Sequence, residues 1–351
     1  MSQELTKDEG NVYDLFTHTF VVEGQHDQYS NTIDLWDLVP KYFISSRKQT
    51  DMRKNSDQLP VQVHEVVVEG KRYKLVLQPA TVLEDTGKRD EKDEPILTPV
   101  QYYPSENEEL IEDVIRKVFM DQNYGEHIAE QEESRVAFSL QMIARELKKY
   151  NKSRSITEIK KAITILRNTS ISLYRIGKNK PLFSNNILSD LVTVDRDAYL
   201  SDSTSLWAVR LPWIASKGIN TLHYRQFNYV KLMEQKTQLD RYIFKRLSHN
   251  FVNANRTQSY HFALSTIVND SKLVSHSRTD ARIKFVQQSL NRLIKRGIIV
   301  CWEQEVRKAK TGNRIEDVIF DLYATEIFIK EQKAASAAHN YRKKMLGFDS
   351  N

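Results

Sequence analysis

Lys284, Gln288, Arg292 and Lys295 recur at the three- and four-residue spacing that aligns side chains along one helix face, with Asn291 flanking them and Arg278 at the start. Their chemistry is that of base-edge recognition. Arg and Lys donate to guanine edges or to phosphates, while Asn and Gln match the donor and acceptor of adenine. An earlier stretch repeats the arrangement with Thr157, Lys160, Lys161, Thr164 and Asn168, preceded by Lys152 and Arg154. Arg307, Lys308, Lys310, Asn313 and Arg314 crowd one Gly-containing turn, where they would meet phosphates or an adjacent minor groove. All of these positions are expected to bind DNA.

Catalytic chemistry finds no comparable constellation. There is no G-x-x-x-x-G-K-[ST] loop to cradle a nucleotide phosphate, and the nine histidines contain no H-x-H pair. His223 with Arg225 shares a feature with tyrosine recombinase sites, but the spacing and a matching tyrosine segment are missing. Glu108/Glu109 and Glu132/Glu133 read as solvated acids, and Cys301, alternating with apolar residues, as core. No enzyme activity, cofactor or metal is expected.

The elements that must carry the reading side chains follow from periodicity. SYHFALSTIVNDSKLVSHSRTDARIKFVQQSLNRLIKRGIIVCWEQEV reads as short strand, short helix, polar turn, longer helix and strands. The long helix runs from about Arg278 to Arg296. It buries Ile283, Val286, Leu290, Leu293 and Ile294, and Gly297 ends it. Phe285, near the outward face, is expected at a domain or subunit contact. GIIVCWEQEVRKAKTGNRIEDVIFDLYAT then forms a hairpin with KAKTGNR at its tip. RVAFSLQMIARELKKYNKSRSITEIKKAITILRNTSISLYRI repeats the order: Phe138, Leu140 and Ile143 match Phe262, Leu264 and Ile267, and Ile171, Leu173 and Tyr174 match Ile299, Cys301 and Trp302. Ser155 caps its long helix. Each copy has the order of a winged helix-turn-helix.

Upstream, VQVHEVVVEGKRYKLVLQ predicts a hairpin, LEDTGKRDEKDEP an exposed loop, and SENEELIEDVIRKVFMDQ a helix capped by Ser105 and Glu108. LVTVDRDAYL and SLWAVRLPW read as strands and KTQLDRYIFKRLSHNF as a helix. KEQKAASAAHNYRKKMLGF is either a docked helix or a basic tail. The fold class is therefore α+β: an acidic, largely disordered leader over 1–60, a first winged-helix domain with a β-rich lead-in over 61–225, a second over 226–325, and a basic helix or tail over 326–351.

Charge separates the two ends of the chain. Residues 1–134 hold 14 Lys/Arg against 28 Asp/Glu, a net −14, and residues 135–351 hold 38 against 18, a net +20. A +20 segment favours a polyanion, because each neutralised phosphate releases counterions, so duplex DNA is the expected partner. No apolar run approaches the ~20 residues that a membrane span requires. The single cysteine fits a reducing cytoplasm.

Tandem winged helices, a basic C-terminal part, the lead-in VQVHEVVVEGKRYKL, the helix EELIEDVIRKVF and a short apolar motif together resemble the plasmid replication initiators of the iteron-binding, TrfA-like type. The resemblance covers roughly residues 31–325. In that family the apolar motif is QLSLF followed by aspartate and docks on the bacterial sliding clamp. Here TIDLWD, residues 32–37, takes its place, with Ile33, Leu35 and Trp36 as anchors and Thr32 where the family has glutamine; VYDLF, residues 12–16, has a similar shape. The alternative is that 31–43 lies in a groove of the chain's own first domain. The resemblance implies a bacterial cytoplasmic protein that binds repeated origin sites and opens neighbouring AT-rich DNA, with single-stranded origin DNA as a further partner. It also implies recruitment of the host initiator and replicative helicase, and a monomer–dimer equilibrium paired through the first domain. A transcriptional repressor or partition regulator is the alternative reading, and a DNA strand-transfer enzyme the third.

Overall fold

The structure is a computed structural model that describes residues 28–54, 56, 58–68, 70–120, 124–193, 206–309 and 314–345. The chain divides into a central unit, 41–119 with 123–216, and a C-terminal unit, 217–351 with 1–40 and 120–122.

The apolar motif belongs to the C-terminal unit. Tyr29–Thr32 (β1) pairs antiparallel with residues 225–228, and a one-turn helix, Asp34–Asp37 (α1), follows. Asp37 organises the turn: its Oδ2 accepts from the Ile33 amide at 2.6 Å and from the Thr32 hydroxyl at 3.0 Å. Its other oxygen lies 3.9 Å from Lys245 Nζ. Thr32 is thus an internal donor. Ile33 is buried against Gly218, where an added Cβ would stand 3.1 Å from Ile33 Cγ2, and Trp36 is only 1% exposed. The expectation of a disordered leader up to residue 60 fails over 28–54, because these side chains complete a core. VYDLF lies outside the described residues.

The central unit begins with Ser46–Arg53 (α2), anchored by buried Gln49. Its Nε2 donates to the carbonyls of Ile44 at 3.0 Å and Tyr103 at 2.8 Å. Gln62–Val68 (β2) and Lys71–Gln78 (β3) form the predicted hairpin around Gly70, whose φ of 71° suits glycine. Ala80–Arg89 (β4) and Pro95–Tyr102 (β5) form a second hairpin through the stretch predicted as a loop. Pairing runs out to Arg89 and Pro95, and Asp90 Oδ1 closes the turn by accepting from the amides of Lys92 at 2.8 Å and Glu94 at 2.9 Å.

Glu106–Phe119 (α3) starts as expected, with the Ser105 amide donating to Glu108 Oε2 at 2.7 Å. Its acids are not solvated: Glu108, Glu109, Glu112 and Asp113 are all buried, and Tyr42 donates to Glu112. Gly125–Ile128 (β6), Glu133–Ser139 (β7), Leu140–Lys149 (α4) and Ile156–Asn168 (α5) follow, then Ser170–Arg175 (β8), Pro181–Asn186 (β9), Ser189–Thr193 (β10) and Leu206–Arg210 (β11). The sheets are β2-β3-β8-β9 and β10-β11-β7-β6. The strand that returns to β7 is therefore β11. β8, matched in sequence to 299–302, joins the β2–β3 hairpin instead.

The chain leaves this unit within Trp213–Asn220 (α6). Arg225–Asn228 (β12), Tyr229–Glu234 (α7), Gln238–Asn250 (α8), Tyr260–Ala263 (β13), Leu264–Ser271 (α9), Thr279–Lys295 (α10), Ile299–Lys308 (β14), Ile315–Ala324 (β15) and Glu326–Met345 (α11) complete the C-terminal unit. Its sheet is β13-β15-β14. Val286, Leu290 and Leu293 of α10 are buried, as are Ile267, Phe262, Phe320 and Leu322. Gly297, with φ 68°, ends α10 and lets the Ile298 amide donate back to Leu293 O at 3.0 Å. Cys301 is exposed, correcting its expected core role, because the outer face of β14 has no layer over it. Of the two expectations for the C-terminus, the helix is found, with Phe328, Ile329 and Ala335 buried. Phe328 meets Phe244 edge to face at 6.4 Å.

Burial of Trp36 has a measurable consequence. Trp36→Ala should lower unfolding free energy by about 3–5 kcal/mol, read by denaturant titration of the full chain. An unchanged midpoint would mean that the motif does not pack as described.

Candidate nucleic-acid interface

α10 presents Lys284, Gln288, Asn291 and Lys295 as one exposed stripe opposite its buried face. Arg278, at the N-cap, is exposed and forms a forked pair with Asp280 at 2.8 and 3.1 Å. Such exposed pairs contribute little, so this guanidinium is readily redirected to an anion. Phe285 turns to the ring of His276, 4.9 Å away.

Arg292 faces inward. Its Nε and Nη2 donate to the carboxylate of Asp240 on α8 at 2.7 and 2.9 Å, and Ser289 Oγ donates to the same carboxylate at 2.5 Å. Asp240 is 0% exposed. It also caps its own helix, accepting from the Thr237 amide at 3.0 Å. Arg292 therefore positions α10 on α8. Sequence reasoning missed Asp240, although T-x-x-D at 237–240 is a visible capping box.

The hairpin β14–β15 is tied to this stripe. Trp302 Nε1 donates to Asn291 Oδ1 at 3.0 Å, and Gln287 Nε2 donates to Gln304 Oε1 at 2.9 Å. At its far end Arg307, Lys308 and Arg314 are exposed, with the Ala309 amide donating to Arg314 O at 2.9 Å. Lys310 and Asn313 lie outside the described residues.

The equivalent face of α5 is covered in part, with Asn168 exposed. The β4–β5 hairpin packs on it through Ala80, Val82 and Ile165, with Tyr102 alongside. Lys161 Nζ lies 2.5 Å from Glu84 Oε1 and 4.1 Å from the centre of the Tyr102 ring. Asn168 Nδ2 donates to Thr81 O at 2.8 Å, and Thr164 Oγ1 to Lys160 O at 3.0 Å. Arg154 Nε donates to Asn107 Oδ1 at 2.5 Å. Thr157 is exposed, and Lys152 and Lys160 are half-buried. Burial opposes ionisation of Glu84, but Lys161, Tyr102 and Arg53 outweigh it and hold its carboxyl below the ordinary glutamate value.

Ile33 and Trp36, expected to dock on a partner, are buried, and Leu35 is half-buried. Presenting them would require the segment to leave its place. Among the described residues no three His, Cys, Asp or Glu side chains converge to hold a metal ion. No helix among them is long and apolar enough to cross a membrane.

No protein-family model matches the chain, and no curated protein matches it. Solved structures do align with it, among them the following three. A selenomethionine derivative of domains 2 and 3 of RctB is 12% identical at a TM-score of 0.44, covering 77% of this chain and 92% of that one. A second structure of RctB domains 2 and 3 is 14% identical at 0.41, covering 80% and 96%. The Pi initiator protein in complex with iteron DNA is 9% identical at 0.43, covering 63% and 91%. Likeness at this level establishes neither a shared fold nor a shared activity.

Two outcomes test the site's construction. Arg292→Ala should cost about 3 kcal/mol of stability, since it strands a buried carboxylate, whereas Gln288→Ala should stay within about 0.5 kcal/mol; thermal unfolding of both variants decides. Unchanged stability in Arg292→Ala would return that residue to the reading face. The second concerns Glu84. Its depressed value means that the Lys161 tie is fully formed above the ordinary carboxylate range and is lost as pH falls through the lower folded value, beneath that range. The ring resonances of Tyr102 should shift over that range in the native chain, and in Glu84→Gln should be displaced at neutral pH and not titrate.

Proposed function

We propose that the chain is a sequence-specific duplex DNA-binding protein that acts as a replication initiator, reading repeated origin sites with a winged helix in its C-terminal unit. One observation carries the reading: Lys284, Gln288, Asn291 and Lys295 form an uncovered polar and basic stripe beside a hairpin that ends in Arg307, Lys308 and Arg314. A helix so equipped fits the major groove, and a basic hairpin beside it fits the flanking phosphates. The +20 balance of residues 135–351 supplies the long-range attraction.

The initiator role, with opening of AT-rich DNA and recruitment of the host initiator and helicase, rests on the sequence resemblance. Contact with the sliding clamp through Ile33, Leu35 and Trp36 is left out of the proposal because Trp36 is buried. A repressor is the second reading, and one observation favours it. With the α5 face under the β4–β5 hairpin, each chain offers one uncovered reading helix, which suits a dimer on a two-fold operator.

Footprinting on DNA flanking the gene separates the readings. Evenly spaced direct repeats beside an AT-rich stretch support the initiator, a single inverted repeat supports the repressor, and no protection removes both. On the protected site, Lys284→Ala and Gln288→Ala should each cost about 1–3 kcal/mol of specific binding. Lys308→Ala should weaken all sequences alike and reduce the salt slope by about one. Equal losses on specific and random DNA for Gln288→Ala would take α10 out of the groove.

A further inference from the structure

The pair His223 and Arg225, unused by DNA reading, meets the far end of α11 in the fold. Arg225 donates from Nη2 to Ser336 Oγ at 3.0 Å, while its Nε is buried with no hydrogen-bond partner among the described residues. Ser336, His339 and Lys343 stand three and four residues apart on α11, so they share a face. His339 Nδ1 is likewise buried without a hydrogen-bond partner among the described residues. The His339 ring stands edge-on to Tyr224 at 6.5 Å, and Arg342 Nη1 donates to the Tyr224 hydroxyl at 3.0 Å.

Among the described residues, the charges that act on His339 all have one sign. Burial, then Lys343, Arg225, Arg342 and His223, push the His339 imidazole down to about 4. Tyr224 adds no negative charge, because burial pushes its phenol up to about 12. Glu331, two turns back on α11, is engaged by Lys231 and Asn228 at 2.9 and 3.0 Å. Arg225, His339 and Lys343 are only half-buried and His223 is exposed, so solvent species reach the group.

Clustered cationic side chains whose buried nitrogens have no acceptor among the described residues suit an anionic ligand. We propose that the start of β12 and the C-terminal end of α11 form a binding site for a phosphate group, held by Arg225, His339 and Lys343 with His223 at its exposed edge. A phosphate presents only acceptor oxygens to these donors. It compensates the Arg225 and Lys343 cations, and in its presence His339 takes up a proton and donates from both ring nitrogens. The site lies outside the α10 stripe and does not depend on DNA reading. Its phosphate is either a free compound or part of a nucleic-acid backbone.

The test is an NMR titration of the full-length chain with inorganic pyrophosphate, following the His339 ring, with sodium chloride at matched ionic strength as control. A saturable shift confined to pyrophosphate, with the His339 midpoint raised by a unit or more, is expected. Arg225→Gln should weaken pyrophosphate at least tenfold and Arg225→Lys less, because lysine keeps the charge without the fork. Should Arg225→Gln not fold, Lys343→Gln, whose side chain is half-exposed, should weaken it severalfold with an unchanged unfolding midpoint. A response equal to that with chloride overturns the site, whatever the chain does with DNA. The source is then read from the salt dependence of duplex binding. A slope reduced by about one in Lys343→Gln assigns the phosphate to a backbone, and an unchanged slope alongside lost pyrophosphate binding assigns it to a free compound.

Discussion

The orientation of α10 depends on one buried carboxylate. Apolar packing holds α10 in the core, but Val286, Leu290 and Leu293 alone would tolerate some rotation about the helix axis. Asp240 removes that freedom, because it needs Ser289 and Arg292 at one azimuth and Thr237 to seal its own helix start. Burying such a charge is costly unless every lone pair finds a donor. Here the donors come from both helices, and the reward is geometric: with Arg292 turned in, Lys284, Gln288, Asn291 and Lys295 are turned out. Trp302 and Gln304 carry the same register to the hairpin by gripping Asn291 and Gln287. Stripe and hairpin are thus presented as one surface.

The two stretches that resemble each other in sequence differ in what lies over the second helix. α10 is open, while α5 carries the β4–β5 hairpin, with Lys161 spent on Glu84 and Tyr102 and Asn168 on a backbone carbonyl. The repeat diverges just after α5, where β8 pairs with β3 and leaves β11 to return to β7. A local sequence match through Ile171 and Leu173 holds no record of which sheet a strand will join. That choice is set by the β2–β3 edge offered to it.

Local signals were legible, and long-range partners were not. Ser105 with Glu108, Ser155 with Glu158, Gly70 and Gly297 each perform the cap or turn that their spacing predicts, since such chemistry is complete within a few residues. The hairpin through LEDTGKRDEKDEP was hidden because its strands are rich in charge. They are held by cross-strand pairing and by Tyr102 and Lys161, not by an alternating apolar pattern. Arg292 looked like a reader because a helical wheel places it at the stripe's edge, and only α8 decides which way that edge turns. TIDLWD looked like a free docking peptide for the same reason: its pairing strand lies nearly two hundred residues downstream, at 225–228.

The acidity of the first 134 residues follows a related logic. Part of it is internal, in Glu108, Glu109, Glu112 and Asp113 of α3, where it cannot repel a polyanion at the surface. Another part stands on the β4–β5 hairpin, where Glu84 pairs with Lys161 of α5 and Asp85 with Arg89 of its own strand. Pairing and cover therefore act together on α5, where Lys161 is engaged within the fold, while Lys284, Gln288, Asn291 and Lys295 of α10 stay exposed.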